Sequence, residues 1–183
     1  MKPIASPVVG ERRRAGKLKV VIAYLLGIAT LPVLAYLVAY SGHFPVATNS
    51  HPLPLEVSLA DRALHYASVD GAPAVVPVKV SDAGLTSSAQ LYATECAFCH
   101  GLPGQAVPHA ATGMFPPPPQ FFTKVDDDPT GVIYWRIKNG IRLTGMPAFR
   151  PTLSDDQIWS LALLLQRAKR LPAPAQAELH PNH

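Results

Sequence analysis

Cys96-Ala97-Phe98-Cys99-His100 gathers most of the chemistry of this sequence into five residues. Two thiols three positions apart with an imidazole next to them can serve as half of a four-ligand zinc site, as a redox dithiol, or as the C-x-x-C-H attachment signature of a c-type haem. The zinc reading needs a second cysteine pair, and the chain has only 2 Cys. A thioredoxin-like dithiol needs a βαβ setting, and the sequence has no strand pattern. A plain disulfide between Cys96 and Cys99 leaves His100 without a task. The haem reading uses all three side chains. The thiols reach the two vinyl groups along one porphyrin edge, and the imidazole is carried under the iron. One motif implies one haem, covalently attached.

A second axial ligand has few candidates among the 3 Met of the chain. Met146 is the expected one. Gly145 lets the backbone approach a flat macrocycle, and Pro147 biases Met146 toward extended geometry. Met114, in Gly113-Met114-Phe115-Pro116, is the alternative, or a filler of a gap in the core. His109 or an open position completes the set. The remaining histidines, His43, His51, His65, His180 and His183, fall in segments expected to be solvated.

Three helices must position these groups. The first is expected over Ser87–Glu95, with Thr86 as N-cap, leading into the motif. The second is expected over Pro129–Lys138, with Asp128 as N-cap and Asn139-Gly140 as a left-handed stop. The third begins at the capping box Ser154-Asp155-Asp156-Gln157, carries Ile158, Leu161, Ala162 and Leu165 at helical spacing, and stops before Pro172. About 87 residues with three short helices make a meagre core, and a covalent haem is the staple such a domain needs.

Leu91-Tyr92-x-x-x-Cys96-Ala97-x-Cys99-His100-Gly101, then Gly140-Ile141-Arg142-x-Thr144-Gly145-Met146-Pro147-Ala148-Phe149, then Leu153-Ser154-Asp155-Asp156-Gln157-Ile158-Trp159, resembles a bacterial class I cytochrome c domain over residues 85–171. The resemblance implies an all-α fold around a single haem, with the first helix crossing the last near Leu91, Tyr92, Trp159 and Ala162. It also implies that His100 and Met146 bind iron from opposite faces. The run Pro116 to Pro119 departs from the family, in which this region accepts a hydrogen bond from the proximal imidazole. That leaves open which carbonyl, of Pro103 or of Pro116 to Pro119, faces His100. Arg142 and Trp135 are the candidates for holding haem propionates, with a solvated arginine and a core tryptophan as the plainer readings. Asp126, Asp127 and Asp128 read as a solvated loop, or as a docking patch for a basic partner.

The rest of the chain tells where such a domain works. The 183 residues carry 16 basic and 12 acidic side chains, a net charge of +4. Six of the basic residues lie among the first nineteen, against Glu11 alone, so the remaining 164 residues hold ten basic and eleven acidic ones. A nucleic-acid protein would carry its positive charge on the folded domain, so no nucleic-acid partner is expected. Residues 20–40 form an uncharged stretch with eleven Leu, Ile or Val, which favours membrane insertion by roughly 3 to 7 kcal/mol. The basic cluster before it predicts a cytoplasmic tail over residues 1–19, a transmembrane anchor over 20–40 and a domain outside the inner membrane, in the periplasm. A cleaved signal peptide is the alternative. It is disfavoured by the length of the apolar core and by poor cleavage sites. Residues 41–84, with five prolines, read as a periplasmic stalk, either a spacer or packed on the domain, with a short amphipathic helix over Leu59–Val69 whose face is Leu59, Ala63 and Tyr66 or Ala67. Residues 172–183 read as a frayed tail. His/Met ligation raises the potential and leaves no site for oxygen or peroxide. The expected function is therefore electron transfer rather than catalysis, as a membrane-tethered respiratory-chain carrier. Its partners would be the lipid bilayer and a quinol-oxidising complex, dehydrogenase or terminal oxidase. The alternative is a permanent haem subunit of a larger membrane dehydrogenase or oxidase.

Overall fold

The computed structural model describes residues 7–124 and 127–180; Lys2, Asp126 and His183 lie outside them. The chain divides into two compact units, Met1–Val46 and Ala47–His183.

The first unit contains one helix, α1, Pro7–Tyr40. Within it Gly16–Tyr40, 25 residues, is long and apolar enough to cross a membrane, and none of it is buried in protein. At about 1.5 Å per residue it exceeds the roughly 30 Å of a bilayer core. The helix runs through Pro32. The Thr30 hydroxyl donates to the Leu26 carbonyl one turn back, at 2.7 Å. Near the end of the span the rings of Tyr36 and Tyr40 lie 4.3 Å apart.

The second unit is built from α2 (Glu56–Asp70), α3 (Asp82–Glu95), α4 (Ala97–His100), α5 (His109–Thr112), α6 (Thr130–Asn139), α7 (Asp155–Gln166) and α8 (Ala173–Glu178). No strand occurs among the described residues, only an isolated antiparallel bridge between Ile141 and Met146. The domain is thus all-α.

α3 starts five residues before the expected Ser87. Ser81 is its cap, accepting from the Gly84 N–H, while Thr86 spends its hydroxyl on the Asp82 carbonyl inside the helix. Leu85, Ser88, Ala89 and Tyr92 form its buried stripe at helical spacing. α7 has the expected capping box: Gln157 N–H to Ser154 Oγ, and Ser154 N–H to Gln157 Oε1. It buries Ile158, Trp159, Leu161, Ala162, Leu163, Leu164 and Leu165 and packs on both α3 and α6. The Tyr134 and Trp159 rings stack at 3.9 Å where α6 meets α7.

α6 is not capped by Asp128. Pro129 holds the cap position without a side-chain bond, and the Asp128 carboxylate reaches instead to Arg136, 2.5 Å away. At its other end Gly140 has φ +66°, and a Cβ there would lie 2.6 Å from both Pro147 C and Ala148 N. Glycine is required there for a close approach of backbone to backbone. It lets the loop residues 146–150 lie on the end of α6, where Phe149 N–H bonds Ile137 O (3.1 Å) and Arg150 N–H bonds Lys138 O (3.2 Å).

The tail expected to be frayed is packed, and the stalk takes the packed alternative of the two open to it. Residues 173–178 form α8 against α3, with Ala175 and Leu179 fully buried. Leu171, Ala175 and Leu179 repeat every four residues and supply the apolar stripe; Pro172 holds the cap position of the new helix, while α7 ends earlier than expected, at Gln166 with Arg167 as its C-cap. The stalk helix is longer than expected, Glu56–Asp70, and packs on α6. Its inward residues are Leu64 and Ser68, not Leu59, which is 63% exposed. Val78 and Val80 then pack against the core.

Candidate haem site

α3 delivers the chain into the motif. Cys96 ends α3 and begins α4, so Cys99 and His100 sit on a single helical turn held by the Cys99 and His100 N–H groups bonding to Cys96 O. Cys96, Cys99 and His100 all face a cavity of about 520 Å³. Tyr92, one turn before Cys96 and fully buried, donates its phenol proton to Gly101 O at 2.9 Å and so fixes the exit from the motif to the helix that enters it.

The proline run forms the next wall. His100 Nδ1 lies 2.8 Å from Pro119 O. A carbonyl only accepts, so Nδ1 carries the proton and Nε2 is left as the free ligand nitrogen. The Phe121 ring stacks on the imidazole at 4.7 Å. Gln120 ties the two segments again, its Nε2 donating to Cys99 O and Pro118 O, each at 3.1 Å. Burial pushes the His100 pKa down, opposed by the Pro119 hydrogen bond, which favours the neutral imidazole that metal ligation needs. Burial pushes the Cys96 thiol up to about 12, with Glu95 and Cys99 adding to the rise. Burial, and then Cys96, also push the Tyr92 phenol up.

Met146 reaches the same cavity from the loop after α6. Its N–H bonds Thr144 Oγ1 at 3.2 Å and its carbonyl accepts from Ile141 N–H at 3.2 Å. Met114 is also on the wall. A Cβ on Gly145 would meet its methyl carbon at 2.9 Å, so the two methionine segments are in contact. Ile133 and Ile137 of α6, and Leu161 and Leu165 of α7, complete an apolar lining. The donor set fits a haem: two thiols, an imidazole with one nitrogen committed, thioethers, and apolar walls for a flat macrocycle.

Residues 83–165 match the family described as cytochrome C oxidase, cbb3-type, subunit III. This segment is a c-type cytochrome domain. Domains of this kind carry haem and transfer electrons. No curated relative matches the chain.

Within the cytochrome domain, the two residues expected at the propionates stand away from the cavity wall. Trp135 is half-buried on a different face of α6, its indole against Gly71. Arg142 is exposed, beside Leu143 on a shallow outer depression that shares Met146 with the cavity. The basic residue on the wall is Arg136, paired with Asp128. Its place was readable. Arg136 follows Ile133 by three and precedes Ile137 by one, on the face of α6 that both isoleucines turn to the cavity. Leu64 of α2 also lines the cavity, which no local pattern announces.

Proposed function

We propose that this chain is a membrane-tethered, single-haem cytochrome c that passes single electrons between respiratory-chain components on the periplasmic side of the inner membrane. The observation that carries the reading is the placement of Cys96, Cys99, His100 and Met146 on one apolar cavity, with His100 Nδ1 committed to Pro119 O. The bound haem supplies a one-electron ferric–ferrous couple. The protein's own groups do the rest. Cys96 and Cys99 hold the macrocycle as thioethers, which makes it part of the covalent fold. Pro119 O orients His100 and raises its basicity as a ligand. Met146 would supply the second protein ligand to the group, which would leave its metal no open place for oxygen or peroxide. Arg136 offers a fork of donors to a propionate, in place of Arg142 and Trp135. The aliphatic walls exclude water and favour the reduced, less charged iron. α1 is the tether, retained in the membrane by its 25-residue apolar span, and it raises the effective concentration of the domain near fixed partners.

Haem staining after denaturing electrophoresis tests the assignment. The full chain, expressed with a cytochrome maturation system, keeps its haem, and the Cys96→Ala/Cys99→Ala chain keeps none. Haem that persists on the double variant overturns it. A second reading, a permanent haem subunit of a membrane oxidase or dehydrogenase, is favoured by the description of the matched family. Purification in mild detergent separates the two: a lone band supports the carrier, a stoichiometric complex the subunit.

A further inference from the structure

α2 lies outside the segment that matches the cytochrome family, yet it reaches the cavity. The match begins at residue 83, while α2 spans Glu56–Asp70. Leu64 projects from α2 onto the cavity wall, on the side that α6 lines with Ile133, Arg136 and Ile137. One turn later Ser68 is fully buried. The attachment continues beyond the helix. A Cβ at Gly71 would press on the Trp135 indole nitrogen and lie 2.8 Å from Trp135 Cδ1. Gly71 has φ −86°, so glycine is kept there by space and not by backbone conformation. A Cβ at Gly131 of α6 would likewise press on the Pro73 carbonyl. The segment from Leu64 to Pro73 is thus seated closely on α6 over its length. The Leu59 side of the same helix faces water.

We propose that α2 is a strap that seals the α6 side of the haem cavity, and that Leu64 is a positioning residue that keeps water from the haem and holds its reduction potential up. This rests on the haem reading above. The physical lever is burial: a drier, less polar surrounding disfavours the extra charge of ferric iron, and water admitted to the wall stabilises it. Leu64 supplies that cover from an element that the matched cytochrome segment lacks.

The test uses the full-length holoprotein in detergent and reads the midpoint potential by redox titration, together with the rate of reduction by a small inorganic reductant. Leu64→Ser is expected to lower the potential and to speed reduction by opening the wall. Gly71→Ala, which lifts the strap from Trp135, should shift both in the same directions. Leu64→Met keeps an apolar cover and should match the unsubstituted chain, as should Leu59→Ser on the solvent side. Unchanged potential in both Leu64→Ser and Gly71→Ala overturns the proposal, and so does an equal shift in Leu59→Ser, which would make the effect one of helix stability. A chain that holds no haem before any substitution refutes the haem reading, and the strap with it. A haem-loaded chain indifferent to Leu64 refutes the strap alone.

Discussion

Gly140→Ala should detach the methionine loop from the end of α6 without touching the proposed haem attachment at Cys96 and Cys99. Alanine at φ +66°, ψ −178°, a region open essentially to glycine alone, is strained by about 1–3 kcal/mol. Its Cβ would also sit 2.6 Å from Pro147 C and Ala148 N, both backbone atoms that no rotamer change can move. Ordinary contact begins near 3.4 Å, so the loop must retreat by about 0.8 Å. That retreat stretches the bonds from Phe149 N–H to Ile137 O, now 3.1 Å, and from Arg150 N–H to Lys138 O, now 3.2 Å, each worth about 0.5–1.5 kcal/mol net. Strain and one or two weakened bonds together come to about 2–4 kcal/mol against the closed loop, roughly a 30- to 1,000-fold shift toward its open form. The assay is the weak red-region sulfur-to-iron band of the ferric protein, followed against temperature. The band should fade at a lower temperature than in the parent, well before the helical signal is lost. A Gly140→Ala protein whose band and melting match the parent would refute the reasoning that Gly140 seats the methionine loop.

Other consequences concern the scaffold. Tyr92→Phe removes the donor to the Gly101 carbonyl in a buried setting and should cost about 1–3 kcal/mol, read as a lower denaturant midpoint at constant slope. Leu179→Ala empties a fully buried position on the far side of α3 and should cost about 2–5 kcal/mol; a neutral result would show that α8 does not hold the domain together. The Asp155 carboxyl is held below its usual range by hydrogen bonds from Lys138 and then Tyr134. Its folded pKa is depressed, so its contribution to stability is complete above the unfolded carboxylate range near pH 4 and fades as pH falls through the folded value. Asp155→Asn should therefore flatten stability against pH in that acid window and leave the profile's shape near neutrality unchanged.

The residues that meet at the cavity were legible because their chemistry is local: five adjacent residues carry the thiols and the imidazole, and Gly145-Met146-Pro147 presents a thioether in another short run. The capping box of α7 was legible for the same reason. Choices among competing local options were not. Ser81 and Thr86 can each cap α3, and only packing of Val80 and Leu85 against the core selects the earlier start. Asp128 is a good cap by type, but Arg136 one face away competes for its carboxylate. α2 has two apolar stripes, one through Leu59 and one through Leu64, and nothing in its own sequence says that the second meets α6. The tail after Pro172 looked frayed because α8 is only six residues long and owes its order to α3 rather than to helix propensity. Arg136 was overshadowed by Arg142, which is closer in sequence to Met146 but points away from the cavity wall.

The central claim is a haem fixed at Cys96 and Cys99 whose iron is closed by His100 and Met146. The red-region spectrum of the ferric full chain, compared with that of Met146→Ala, tests it most directly. The account predicts a sulfur-to-iron band in the parent that vanishes in Met146→Ala with haem content unchanged. A band that survives the substitution would give the axial position to Met114, and a parent chain without the band would contradict methionine ligation altogether.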